Sequence, residues 1–172
     1  MPWLRGGRVA ERRKEKPARA KQAAPVLDRR RLSLRYRSRI PSTTQAINHA
    51  VGDVMKVANK VGCVGEGRAE MEIALREALA NAVIHGNKNA PDKSVLLRCY
   101  CDPGVGLLVA IRDQGSGFVP DEVPDPRSAE RIELTHGRGL FLRRELMDHV
   151  EYRKGGREVV LYKKTPEEKR KR

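Results

Sequence analysis

Residues 73–88 read IALREALANAVIHGNK. No proline breaks the run before Pro91 and no glycine before Gly86, and alanine and leucine dominate it, so it reads as helix. The helix is expected from about Arg68 to His85, with Met71, Leu75, Ala78, Leu79 and Ala82 as its buried stripe. Gly86 is placed to close it in a left-handed cap. Beside the stripe stand Glu77, Asn81 four residues on, and His85 four further, so a carboxylate, an amide and an imidazole share one line down the helix. Two readings are open at this point. The polar line faces solvent at the edge of the stripe, or it faces a ligand.

The segments around this helix set the fold class. LSLRYRSRI (32–40) alternates Leu32, Leu34 and Tyr36 with basic residues, as an edge strand does, and Pro41 ends it. Ser42, Thr43 and Thr44 offer N-caps to a helix whose apolar residues Ile47, Ala50, Val51, Val54, Met55, Ala58 and Val61 repeat near 3.6. Glycines 62, 65 and 67 separate it from the second helix, and 87–93 reads as a polar loop. VLLRCYC (95–101) and GLLVAIRD (106–113) form a hairpin across Asp102-Pro103-Gly104. A short helix over 140–147 then leads to a second hairpin, HVEYR (149–153) and REVVLYKK (157–164), across Lys154-Gly155-Gly156. This order predicts an α+β two-layer sandwich with helices on one face of a sheet.

Charge divides the 172-residue chain. Residues 1–31 hold eleven Lys/Arg against three Asp/Glu, and 163–172 hold six against two, so +12 of the net +14 lies at the ends. The expectation is a basic, disordered N-terminal extension (1–31), one domain over 32–164, and a basic C-terminal tail (165–172). The ends lack aromatics interleaved with charge apart from Trp3, so nucleic acid is a weak partner at most. No apolar run is long enough to span a bilayer, and the N-terminus has no apolar signal region, which points to the cytoplasm. Cys63, Cys99 and Cys101 include no CxxC pair and read as buried thiols of a reducing compartment.

Two more clusters carry chemistry. Asp113-Gln114-Gly115-Ser116-Gly117 follows an apolar strand. Its carboxylate can accept from an exocyclic amine, and its glycines admit a ligand close to backbone; a plain D-x-G turn reads the same way. His136-Gly137-Arg138-Gly139-Leu140 precedes a helix, where free N–H groups and the arginine suit a phosphate; an ordinary helix cap also fits.

Together and in this order, E-x-x-x-N on a helix, D-x-G-x-G after a strand and G-x-G-L before a helix resemble the GHKL ATPase superfamily. EALANAVIHGN, DQGSGFVP and GRGLFLRRELMDHVEY are similar to the bacterial anti-sigma-factor serine/threonine kinases, over about residues 32–164. The resemblance implies a histidine kinase/Hsp90-like ATPase (Bergerat) fold, a mixed, mainly antiparallel sheet covered by helices on one face. It implies ATP and Mg²⁺ as cofactors. Glu77 would be the general base, Asn81 the Mg²⁺ ligand, and Asp113 the partner of the adenine amine, with Gly115 and Gly117 shaping that wall. Residues 118–136 would be a mobile lid, and Gly137, Arg138 and Gly139 the turn beside the phosphates. The implied partners are an anti-anti-sigma (STAS-type) protein and a sigma factor, with homodimers frequent in the family. The chain departs from the pattern in its last strand, where many members carry a Thr after a Gly-Thr pair and GGREVVLYKK stands here. No role attaches to His85 or His136. The rival function is an ATP/ADP-binding module that sequesters a partner without phosphoryl transfer.

Overall fold

The computed structural model describes residues 29–118 and 145–165. Helix α1 (Thr44–Val61) starts where Thr43, in extended backbone, accepts the Ala46 N–H on its hydroxyl at 3.3 Å. Of the three candidate caps, Thr43 serves. The helix stops at Gly62, whose φ of 78° lets its N–H reach back to Ala58 and Asn59. Ile47, Ala50, Val51, Val54, Met55 and Ala58 are buried along one side, as the periodicity requires. Helix α2 (Arg68–Ala80) buries Met71, Ala74, Leu75, Ala78 and Leu79 beside it.

Five strands form one sheet: β1 (Ser33–Pro41), β2 (Ser94–Asp102), β3 (Gly106–Arg112), β4 (His149–Arg153) and β5 (Glu158–Lys164). Their order is β1-β2-β3-β5-β4, and all four pairings among the described residues are antiparallel. Both expected hairpins are present. The second closes through Lys154, Gly155 and Gly156, all at positive φ. Strand β2 alternates cleanly, with Val95, Leu97, Cys99 and Cys101 turned in. With Val109, Ile111 and Leu161 they join α1 and α2 in the main core. A smaller apolar cluster joins Leu32, just before β1, to Leu108, Ala110, Val160 and Tyr162, the sheet residues of opposite parity. The chain is thus α+β, with helices packed on one face of the sheet.

Two details differ from the expectation. A bulge between Leu34 and Tyr36 breaks the period of β1. Leu32 therefore joins the smaller cluster, Tyr36 packs on the main core, and Leu34 is left 49% exposed. Cys63 and Cys101 are joined by a disulfide, and only Cys99 remains a buried thiol. Sequence spacing does not report that the α1–α2 loop folds under the end of β2. Of the helix expected over 140–147, Glu145 to Met147 alone fall within the described residues.

Candidate functional site

Helix α2 does not run on to His85. After Ala80 the chain widens into a π-helical turn, Asn81–Gly86, and the Asn87 N–H closes it on the Ala82 carbonyl at 2.8 Å. The left-handed residues come later, at Lys88 and Asn89 with φ of 57° and 53°. Gly86 itself is not left-handed, so the cap expected there is absent. Its glycine is required for space instead. A Cβ on Gly86 would stand 2.6 Å from the Asp113 carboxyl carbon and 2.9 Å from both its oxygens.

That carboxyl belongs to the segment after β3. The Asp113 N–H donates to the Arg157 carbonyl at 3.0 Å, which continues the β3–β5 ladder by one residue. Its Oδ1 accepts the Gly115 N–H at 2.7 Å. A methyl on Gly115 would fall on the Gly86 carbonyl oxygen. Gly117, at φ 82°, lies against the Gly155 carbonyl, and Gly156, at φ 80°, against the Phe118 backbone. The glycines of D-x-G-x-G are thus needed for close backbone packing against two other segments.

Between these segments lies a cavity of about 240 Å³. Asn81 and His85 line it from the π-helical turn, and Asp113 and Gly117 from the opposite loop. Its floor is apolar, built from Ala78, Ala82, Ile111 and Val159. Phe118 and Tyr152 stand at one side, ring edge to ring face, with centroids 5.4 Å apart. Val159, in the strand that departs from the Gly-Thr pattern, offers this space methyl groups in place of a hydroxyl.

Burial pushes the Asp113 carboxyl above the usual carboxylate range. The Gly115 N–H, its own backbone N–H, Arg157 and Lys93 pull partly the other way. The folded protein therefore holds this proton more tightly than the unfolded chain. Stability at this group falls as pH rises through that window, and the cost is fully present once Asp113 is ionised. Asp113→Asn is expected to stabilise the ligand-free protein above that range, measured as a thermal midpoint at neutral pH that exceeds the parent's.

The structure brings Asn81, Asp113 and Gly117 to one cavity, with Gly115 packed behind. Glu77 sits half-buried on α2, one turn before Asn81, and is not among the residues lining the space. Gly137, Arg138 and Gly139 lie outside the described residues. Gly86, Tyr152 and Gly156 also line the cavity, with no sequence signal that assigns them there, and Phe118 lines it at the first position of the expected lid. The one signal for Gly86 is its place five residues beyond Asn81, where a glycine equally suits a helix cap. His85 lines the cavity as well.

Chemically, this is a mostly apolar cavity that a carboxylate and an amide both line. Apolar walls with a few polar groups suit a heterocyclic ligand, and a carboxylate such as that of Asp113 can accept from an amine on it. Among the described residues, no three His, Cys, Asp or Glu gather as a metal site. A neutral amide oxygen such as that of Asn81 suits a hard divalent cation whose other ligands are water and ligand oxygens. Gly115→Ala tests the packing. Overfilling is expected to cost roughly 1–3 kcal/mol, seen as a lowered unfolding free energy in denaturant titration.

The fold and the cavity define a class. The histidine kinase-like ATPase domain family matches residues 40–163, and the chain belongs to it. Among curated proteins it is similar to several anti-sigma F factors. That of Halalkalibacterium halodurans is 35% identical over 83 residues, which is 47% of this chain and 56% of the relative. That of Oceanobacillus iheyensis is 32% identical over 84 residues, 48% of this chain and 57% of the relative. That of Bacillus cytotoxicus is 32% identical over 88 residues, 50% of this chain and 60% of the relative. The chain thus spans little more than half the length of these relatives. No helix among the described residues is long and apolar enough to cross a membrane.

Proposed function

We propose that the chain is an ATP-dependent serine/threonine kinase of the anti-sigma-factor type, phosphorylating an anti-anti-sigma (STAS-type) protein, sequestering a sigma factor, or both, and so regulating transcription. The observation that carries this is the cavity in which Asp113 faces the π-helical turn bearing Asn81. The similarity to anti-sigma F factors supports the choice of partners.

In this reading ATP is the phosphoryl donor, its adenine over Ile111 and Val159 with the exocyclic amine donating to Asp113. The apolar floor excludes water from the base, which strengthens that hydrogen bond. Asn81 would hold Mg²⁺, which neutralises phosphate charge when bound. Gly137, Arg138 and Gly139 would bind the phosphates through backbone N–H groups and the guanidinium. Glu77, one turn before Asn81, would orient and deprotonate the acceptor hydroxyl.

The deciding experiment incubates the protein with Mg²⁺, ATP labelled on its terminal phosphate and candidate STAS-type proteins. Label on the partner supports the kinase. Nucleotide retained with no label transferred establishes the rival, a nucleotide-binding module that holds its partner without chemistry. Absence of any magnesium-dependent adenine-nucleotide binding in calorimetry removes both. Asp113→Asn turns an acceptor partly into a donor facing the amine. It is expected to weaken ATP binding roughly 10- to 100-fold by calorimetry, the size of a hydrogen bond to a charged group.

A further inference from the structure

We propose that Asn87 is a positioning residue for base selectivity. It holds the Asp113 loop against the end of the π-helical turn, so that the carboxylate cannot retreat from a base that lacks the amine. The inference rests on the nucleotide-binding reading above and assigns a residue outside the cavity lining.

Asn87 is fully buried, and every polar group it has is used. Its Nδ2 donates to the Ser42 hydroxyl at 2.7 Å and to the Ser94 carbonyl at 3.1 Å. Its Oδ1 accepts the Gln114 N–H at 2.7 Å. Its own N–H closes the π-helical turn on Ala82, and its carbonyl accepts the Ala90 N–H at 3.1 Å. The orientation of the amide is forced, since the Ser94 carbonyl needs a donor and the Gln114 N–H an acceptor. Gln114 is gripped a second time, its Oε1 accepting the Ser94 N–H at 2.7 Å. Asn87 therefore ties together the start of α1, the end of the π-helical turn, the first residue of β2 and the residue next to Asp113.

Selectivity follows from that rigidity. Asp113 lines the cavity with its Oδ1 accepting the Gly115 N–H, and the carboxylate has acceptor capacity left for an amine on the base. An amine on the base satisfies it, and a keto oxygen in its place is repelled. A loop free to move would relieve that repulsion, so loosening it lowers discrimination more than it lowers binding of the matched base.

The test compares ATP and GTP affinities by calorimetry for the parent, Asn87→Ala and Asn87→Asp, with an unfolding curve for each. Both substitutions destabilise, because both strip donors from Ser94 and Ser42. Asp keeps an acceptor for the Gln114 N–H, and Ala does not. The expected result is an ATP-over-GTP preference that falls roughly tenfold in Asn87→Ala and persists in Asn87→Asp. A preference unchanged in Asn87→Ala, or lost equally in both variants, overturns the proposal and leaves Asn87 as packing. Should Asn87→Asp not fold, Gln114→Ala stands in. It removes the Ser94 grip at an exposed side chain and is expected to lower the preference in a folded protein; an unchanged preference there counts against the clamp. Hydrogen exchange at the Gln114 amide decides the clamp even if the parent binds no nucleotide, an outcome that would sink the kinase reading separately. Faster exchange in Asn87→Ala supports positioning, and the parent's rate overturns it.

Discussion

Glu77→Gln is expected to slow phosphoryl transfer to a partner by roughly 10²- to 10⁴-fold, the usual contribution of a positioned general base, with ATP affinity close to that of the parent. The split follows from where the residue stands. Glu77 does not line the cavity, so its loss removes no base contact. It sits one turn before Asn81 on the polar line, where an acceptor hydroxyl would approach phosphates held near Asn81. Gln keeps the size, the helix propensity and the hydrogen-bonding reach, and removes only the ability to take a proton. Single-turnover transfer and calorimetric ATP affinity, measured on the same preparation, separate the two effects. Transfer at the parent's rate would take the base role from Glu77. A matching loss of affinity would show that the carboxylate acts in binding instead.

Much of this molecule was written locally. The Thr43 cap, the glycine break at Gly62, the buried stripes of α1 and α2, and both hairpins depend on neighbours a few residues apart, and local pattern reports such neighbours well. The D-x-G-x-G segment was legible for a similar reason, because an acid and two glycines directly after the apolar strand Gly106–Arg112 mark where the strand ends. What stayed hidden was set by distant partners. Gly86 looked like a cap because no pattern within its helix announces Asp113, 27 positions on, as the group that forbids a side chain there. Asn87 read as one polar residue in a polar loop. Its burial comes from Ser42, Ser94 and Gln114, which the fold alone assembles around it. The π-helical turn is likewise a compromise between helix continuation and that anchoring, and alanine-rich sequence does not signal it.

The Cys63–Cys101 bond was hidden in the same way, and losing it has a large expected effect on stability. The two Cα atoms are 6.0 Å apart, within the usual range for a disulfide, and both residues are fully buried. The bond spans 38 positions and encloses α2, the π-helical turn and nearly all of β2. By the chain-entropy relation a closed loop of that length stabilises the fold by about 4 kcal/mol. In a chain of this size that corresponds to a thermal midpoint roughly 8–16 °C higher than that of the reduced protein. Cys99 does not compete for the bond. It lies two residues from Cys101 on the same face of β2, but burial pushes its thiol up to about 12, so it is protonated and non-nucleophilic at neutral pH. Denatured but unreduced protein should therefore release a single titratable thiol, that of Cys99. The native fold should resist a thiol reductant until denaturant opens the core, because the attacking thiolate has no path to either sulfur. Cys63→Ala combined with Cys101→Ala should melt like the reduced parent. Three titratable thiols before reduction, or one midpoint for the oxidised protein and for protein reduced in denaturant and refolded, would show that the cross-link does not hold the enclosed segment in place.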